Sequence, residues 1–221
     1  VYLRHAGVVA FAGSQKPNIL AELSSHQSQA VRLAAVLALR KQQSPLIEVF
    51  LQDQELSVVT EAARAIHDVP IMDAMESLAT SISSAEGLPW QRRAISACKR
   101  LSKNAKQVAL FAADSQYTQR IRKVAIEALR TWSSPFPRRE IVEGRIVYEV
   151  NEQAIGEIDE EVGLLIANTQ GELLADALNL AQSLRVPLPE QLMRPLLEDD
   201  SQPIALREYC LRDLEDKQAI T

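Results

Sequence analysis

The stretch VRLAAVLAL at residues 31–39 decides the fold, because its pattern returns along the chain. The same pattern is present in VVTEAARAI at 58–66, WQRRAISAC at 90–98 and IRKVAIEAL at 121–129. Each copy has a bulky apolar residue first, Ala fifth and eighth, and an apolar residue ninth. This spacing describes one face of an α-helix, with small residues where a neighbouring helix approaches closely. A helix that recurs in this way predicts stacked helical pairs.

Weaker copies lie at residues 3–11, 173–181 and 206–214. The copies that begin at residues 3, 31, 58, 90 and 121 start 27 to 32 residues apart, which leaves room for two short helices per unit. We expect the first helix of each pair over residues 17–24, 45–52, 71–83, 104–113, 154–168 and 189–198. Pro17, Pro45, Pro70 and Pro189 stand where such helices could begin. The predicted fold class is all-α, a right-handed α-α superhelix of about six or seven short HEAT-like pairs with one irregular insertion.

The insertion follows Trp132, where the sequence SSPFP at residues 133–137 stops the helix. Residues 139–150 are rich in β-branched side chains around Glu143-Gly144, which indicates a possible short hairpin. In such a hairpin Ile146, Tyr148 and Val150 would share one face. The predicted organisation is therefore repeats over 1–132, an irregular insertion over 133–153, and degenerate repeats over 154–221.

The composition excludes several classes of protein. The chain has 221 residues, 47% hydrophobic content and a formal net charge of -5, which gives no overall attraction for nucleic acid. No stretch approaches the roughly 20 apolar residues of a membrane span. Cys98 and Cys210 stand on apolar helix positions without a C-x-x-C motif, so we expect buried structural thiols. The chain begins at Val1, and targeting cannot be read from it.

The repeats resemble HEAT repeats of the short type also found in phycobiliprotein lyases. In particular, four stretches are similar to the HEAT segment of large bacterial secreted proteins: YLRHAG at residues 2–7, VRLAAVLALR at 31–40, EAARAIHDVP at 61–70 and ALRTW at 128–132. In that family a quinone-type sugar dehydrogenase propeller precedes the repeats and a c-type cytochrome domain follows them. This chain has neither a propeller nor a C-x-x-C-H motif.

The resemblance implies a non-catalytic spacer or interaction module, and a periplasmic or secreted location is implied by it alone. We expect the chain to be a piece of a longer protein, with an upstream domain covering the apolar residues Leu3, Val8 and Phe11. Its partners would be proteins, foremost the neighbouring domains of the same parent chain. The sequence indicates no membrane contact and no small-molecule substrate.

Three histidines, His5, His26 and His67, are spread over separate repeats, so packing or capping roles are favoured over a metal site. Asp68 adjoins His67, but neighbours on a helix are expected to point apart. The acidic run of Glu157 and residues 159–161 is typical of a helix start rather than of a calcium loop.

The arginines at the second position of the repeats form a second recurring feature. As in HEAT-type repeats, they are expected to pair with acids in the turn before the second helix, with Asp114 for Arg122 and Asp200 for Arg207, and this role is favoured over a binding stripe. The arginines are Arg4, Arg32, Arg122 and Arg207.

One helix carries a candidate interaction surface. On a helical wheel five basic residues of the segment 90–103 fall within about 120°, opposite the apolar side that begins with Trp90. They are Arg92, Arg93, Lys99, Arg100 and Lys103. The favoured hypothesis is a non-catalytic protein-binding or spacer module with no cofactor and no metal. The alternative is a HEAT-fold nucleic-acid-binding protein or DNA glycosylase-like enzyme that uses the basic face between Arg92 and Lys106.

Overall fold

The computed structural model describes the backbone of residues 2–151, 153–188, 190–200 and 204–219. Side chains are described over the same residues except 2–5, 134–140, 147–151, 192, 205 and 216–219. The expectations for Pro189 and for the side chains of Leu3, Arg4, His5, Tyr148 and Val150 therefore lie outside the described residues.

The described residues are mostly helical, which confirms the predicted all-α class. The α-helices are α1 (Tyr2–Ser14), α2 (Pro17–Glu22), α3 (Gln29–Gln42), α4 (Leu56–Asp68), α5 (Met72–Thr80), α6 (Leu88–Leu101), α7 (Ala105–Ala113), α8 (Gln119–Arg130), α9 (Asp159–Ala167), α10 (Gly171–Leu184), α11 (Glu190–Glu198) and α12 (Ile204–Ala219). Three 3₁₀ helices cover Leu23–Ser25, Pro45–Gln52 and Ser81–Ser84. Within the described part of the chain, no helix combines the length and the apolar character that crossing a membrane requires.

Proline marks the start of several of these helices. Pro17 and Pro45 lie in the first turn, as expected. Pro70 instead precedes its helix, because α5 begins at Met72 with Ile71 as its N-cap. Pro89 occupies the first turn of α6, which starts two residues before the apolar pattern that predicted it. Proline is tolerated there because the first N–H groups of a helix have no partner within it.

The chain forms two compact units. The first consists of Val1–Asn104 and Ser134–Glu152, and the second of Ala105–Ser133 and Gln153–Thr221. The strands β1 (Ser134–Val142) and β2 (Arg145–Asn151) contact α6, so the hairpin belongs with the first unit.

In the first unit, helices of successive pairs contact each other in two series. One series runs from α1 to α3, from α3 to α4 and from α4 to α6. In the other, α2 contacts Pro45–Gln52, which contacts α5. Each of the helices α3, α4 and α6 also packs on the shorter helix that precedes it. The apolar pattern therefore lies at contacts within and between the pairs.

The second unit repeats this scheme. The sequential neighbours α7 and α8, α9 and α10, and α11 and α12 pack against each other. Across the pairs α7 contacts α9, while α8 contacts α10 and α10 contacts α12. The degenerate repeats after residue 154 thus form helical pairs although their sequence pattern is weak.

Alanines at the fifth position of the repeats are buried as predicted. Ala35, Ala62, Ala94 and Ala125 have no exposed surface. The ninth-position side chains are equally buried in the core: Leu39, Ile66, Cys98 and Leu129. The register of the pattern is confirmed, and the small fifth residue lets the helices approach each other.

Helices of both units end with the same motif. A residue with φ between 52° and 57° follows the helix, and the next N–H donates to a carbonyl five residues earlier. This is the Schellman arrangement, which satisfies carbonyls that have no partner within the helix. The left-handed residues are Gln43, Ser102 and Arg185, and the bonds run from Ser44 to Leu39, from Lys103 to Cys98 and from Val186 to Ala181.

The β-hairpin turns over two residues, Glu143 and Gly144. Val142 is the Cα partner of Arg145, and Ile141 is the partner of Ile146. Both turn residues have positive φ, 49° for Glu143 and 81° for Gly144, as a type I′ turn requires. Glycine fits such a turn because it has no Cβ to resist a positive φ.

Candidate functional site: a charged cleft beside the hairpin turn

A cleft of about 570 Å³ lies in the first unit, where the hairpin turn faces α4 and α6. Two structural elements supply its walls. One wall comes from the helices and the other from the turn and the start of β2. Its lining residues are Arg64, Asp68, Arg93, Glu143, Gly144, Arg145 and Ile146. The cleft is therefore lined mostly by charged side chains.

A buried polar network connects α4 to α6 beside this cleft. Arg93 donates from Nε and Nη2 to the two carboxylate oxygens of Asp68, at 3.1 and 3.0 Å. His67 Nδ1 lies 2.9 Å from Asp68 Oδ1, and His67 Nε2 lies 2.9 Å from Ser96 Oγ. The third nitrogen of Arg93, Nη1, donates to the carbonyl of Pro89 at 2.9 Å. All four side chains are buried.

The network sets the protonation of its members. Burial alone raises the pKa of Asp68, but hydrogen bonds from His67 and Arg93 and the charge of Arg93 outweigh it and hold that pKa well below its usual range. Burial lowers the pKa of His67, and the bond to Asp68 offsets only part of that effect. Because an ionised carboxylate only accepts hydrogen bonds, we assign the proton of neutral His67 to Nδ1. Nε2 then accepts from the hydroxyl of Ser96.

This order of Ser, His and Asp matches the connectivity of a nucleophilic triad. A nucleophile must reach its substrate, however, and Ser96 is only 5% exposed and does not line the cleft. The bidentate bond from Arg93 also neutralises the carboxylate that would stabilise a protonated imidazole. These features favour a network that fixes α4 against α6.

The position of His67 corrects the sequence analysis. Asp68 and His67 were expected to point apart as helix neighbours, but they are hydrogen-bonded at 2.9 Å. Asp68 is the last residue of α4. Its carboxylate is bonded both to Arg93 of α6 and to the imidazole of His67.

The predicted basic face of α6 is not an exposed surface. Arg93 and Lys99 are each only 2% exposed, so the expectation of a solvated stripe is wrong for both. Arg93 is bonded to Asp68 of α4, and β1 and β2 contact α6, so neighbouring elements cover part of the face that a helical wheel assigns to solvent.

The other three residues of that face also have partners. Arg92 pairs with Glu143 of the hairpin turn at 3.0 Å. Arg100 donates to the carbonyl of His67 at 3.2 Å, and Lys103 pairs with Glu76 at 2.8 Å. Within the described residues the stripe therefore consists mainly of structural contacts within the first unit.

Second-position arginines hold turns, and one of the two acid pairs predicted for them is present. Arg207 pairs with Asp200 at 2.7 Å, as expected. Arg32 instead pairs with Asp53 in the following repeat, at 2.6 and 3.0 Å.

Arg122 differs from both of these arginines. It donates to the carbonyls of Ala112, Ala113 and Asn168 rather than to Asp114. Its partners are the main chain at the ends of α7 and α9. The arginines therefore connect successive pairs as well as fixing their own turns.

The remaining candidates have structural surroundings. His26 accepts a hydrogen bond from the N–H of Ser28 at 3.0 Å. The acidic residues 159–161 form the first turn of α9, as predicted, although Glu161 lies 3.6 Å from Lys106 and is mostly buried. Both cysteines are buried and free, and burial raises the pKa of Cys98 to about 12. No group of three or more His, Cys, Asp or Glu residues in the described part of the chain could hold a metal ion.

Comparisons with known proteins do not assign the chain to a family. No protein-family model matches it, and the search of characterised proteins gives no match.

Proposed function

We propose that this chain is a non-catalytic protein-interaction module built as a right-handed HEAT-like superhelix, and that it binds a protein segment beside the hairpin turn. The superhelix is supported by the two series of helix contacts in the first unit, by the same scheme in the second, and by the recurring buried alanines. The partner we favour is another domain of the same polypeptide, as in the HEAT-containing proteins that the repeats resemble.

The observation that carries the proposal is a pair of exposed isoleucines on the hairpin. Ile141 is 63% exposed and its cross-strand partner Ile146 is 45% exposed. Directly opposed aliphatic side chains normally contribute to sheet stability by packing, yet here a large part of both stays in solvent. Insertions on a rigid scaffold are common places for binding residues. Ile146 also lines the cleft, so the apolar pair and the charged cleft are continuous.

Nucleic-acid binding has less support. The nucleic-acid hypothesis requires an exposed basic face on α6. Arg93 and Lys99 of that face are buried, and Arg92 and Lys103 are in ion pairs. The net charge of -5 adds no attraction for a phosphate backbone.

A peptide-display selection tests the proposal. Random dodecapeptides are selected on the full chain and then measured against the double variant Ile141→Thr, Ile146→Thr, which keeps β-propensity but removes apolar surface. Leu110→Gln is the matched control, because Leu110 is equally exposed at 45% but lies on α7 of the second unit. We expect the selected peptides to bind the native chain and the control and to lose at least tenfold in affinity for the hairpin variant. A selection that yields no binding peptide, or peptides that bind all three proteins equally, would contradict the proposal.

A further inference from the structure

We propose that the occupant of the cleft is an acidic segment of a partner protein, with its carboxylates on Arg64 and Arg145 and an aliphatic side chain against Ile146. This inference rests on the proposed function, since it names the chemistry of the partner at the same site. The supporting observation is an excess of positive charge among the side chains around the cleft.

The first unbalanced charge is at Arg64. Its Nη1 lies 2.7 Å from Oε2 of Glu61, while Oε1 of the same Glu61 lies 3.1 Å from Arg40. The carboxylate of Glu61 is thus shared between the guanidinium groups of Arg40 and Arg64, so one positive charge is not neutralised. The side chain of Arg64 is 42% exposed, compared with 17% for Glu61. The excess charge is therefore presented to solvent by Arg64, at the edge of the cleft.

The second unbalanced charge is at Arg145, which follows the hairpin turn and is exposed. Among the side chains that the structure describes, Arg145 has no ion-pair partner. Arg145 lines the cleft from the hairpin and Arg64 lines it from α4, so the two residues border the same space.

The two acids of the cleft do not offset this excess. Asp68 is held by the bidentate bond from Arg93. Glu143 pairs with Arg92 at 3.0 Å. Each acid therefore has its own arginine, and the two remaining guanidinium groups, Arg64 and Arg145, give the cleft an excess of positive charge.

Guanidinium groups recognise carboxylates through paired N–H donors, so the cleft fits acidic side chains. The exposed Ile146 beside Arg145 offers an apolar contact for a neighbouring residue of the same segment. An acidic segment with interspersed aliphatic residues satisfies both features. A partner of opposite charge also associates faster than a neutral one.

The test uses a fluorescently labelled acidic dodecapeptide, with four Glu and four Leu separated by Gly and Ser. Its isosteric counterpart has Gln in place of each Glu. Binding is measured by fluorescence anisotropy in low salt. We expect the Glu peptide to bind at least tenfold more tightly than the Gln peptide, and the difference to shrink as salt screens the charges.

Variants then locate the site. The double variant Arg64→Glu, Arg145→Glu should weaken binding of the Glu peptide at least tenfold and bind a Lys version of the peptide instead. Arg120→Glu, an exposed cation in the first turn of α8, tests charge reversal outside the cleft and should change the affinity less than twofold. If the charge reversal impairs folding, as judged by circular dichroism, the double glutamine variant replaces it, with the same direction of effect expected.

The outcomes separate this inference from the function on which it rests. Equal binding of the Glu and Gln peptides would overturn the acidic partner but leave an apolar docking function intact. A loss for Arg120→Glu that is as large as the loss for the double cleft variant would also overturn it, because the attraction would then be unspecific. Displacement of the Glu peptide by a short DNA duplex at equal concentration would assign the cleft to nucleic acid. Failure of every displayed peptide to bind would overturn the proposed function itself.

Discussion

The two units share one plan of paired helices but differ in how neighbouring pairs are joined. In the first unit α4 and α6 are connected by a buried network in which Arg93 binds the carboxylate of Asp68. In the second unit Arg122 of α8 donates to main-chain carbonyls, including that of Asn168 before α10. A buried arginine therefore joins helical pairs in both units, whereas a network with ionised and titratable members is an addition in the first unit. That network borders the cleft through Asp68 and Arg93.

The largest expected loss of stability is for replacement of Arg93, and a smaller loss is expected for Arg122. Arg93→Met leaves the carboxylate of Asp68 buried without its cation, so we expect a loss of about 3–5 kcal/mol in the free energy of unfolding. Arg122→Met leaves carbonyls without donors and should cost about 1–3 kcal/mol. Urea unfolding measures both.

The two tryptophans make this comparison specific to each unit, because Trp90 lies in the first and Trp132 in the second. Variants that retain one tryptophan report each unit by fluorescence. A larger loss for Arg122→Met than for Arg93→Met would contradict the distinction between the two networks.

A second prediction addresses what the units share. Ala94 of α6 and Ala125 of α8 occupy the same repeat position and have no exposed surface. Replacing either by Leu should cost about 1–3 kcal/mol through overpacking. Similar losses are expected in the same unfolding experiment, with Ala30→Leu, at an exposed position, as the control. An unchanged midpoint for Ala125→Leu would show that the second unit is packed differently from the first.

The third prediction concerns pH and applies to the first unit alone. The pKa of His67 is lowered by burial from its ordinary value of 6.5. As the pH falls below 6.5, His67 is protonated in the unfolded chain but stays neutral in the folded chain. The free energy of unfolding is therefore highest above this pH and decreases below it. We expect a smaller effect than that of Arg93→Met, because the ion pair stays intact.

His67→Gln keeps hydrogen-bonding capacity but does not titrate, and should flatten the change in unfolding free energy between pH 7 and pH 5. Titration stays above the range in which the carboxylates protonate, so Asp68 does not contribute. A native chain whose Trp90 transition is independent of pH in this window would contradict the burial of a neutral His67.

The smallest expected effect concerns a helix end. Gln43 is exposed and has φ 52°, a conformation that costs a residue with a Cβ. Gln43→Gly should therefore raise the stability of the first unit by about 0.5–1 kcal/mol. Thermal unfolding followed at Trp90 provides the measurement. A decrease in the melting midpoint would show that the glutamine side chain contributes more than its backbone conformation costs.

Much of the fold could be predicted from the sequence because helix periodicity is a local signal. The Ala positions of the repeats, the helices near 45–52 and 104–113 and the break after Trp132 all follow from spacing, proline and β-branched residues. The hairpin turn at Glu143-Gly144 was also indicated, since glycine adopts the positive φ that the turn needs.

The candidate site could not be predicted in the same way. A helical wheel assigns Arg93 and Lys99 to solvent because it contains no information about the hairpin, which is some 40 residues further along the chain. The hydrogen bond between Asp68 and Arg93 joins residues 25 positions apart, and no local sequence pattern predicts it. Long-range packing of an insertion on a helix face is decided by tertiary structure.

Binding beside the hairpin turn can be mapped by hydrogen–deuterium exchange of the chain with and without the Glu-rich peptide. We expect added protection in residues 61–68 of α4 and 141–146 of the hairpin, and none in residues 121–129 of α8, which hold the equivalent place in the second unit. Protection that is absent from the hairpin, or that is as strong on α8 as on α4, would contradict the claim that the cleft beside the hairpin turn is the binding site.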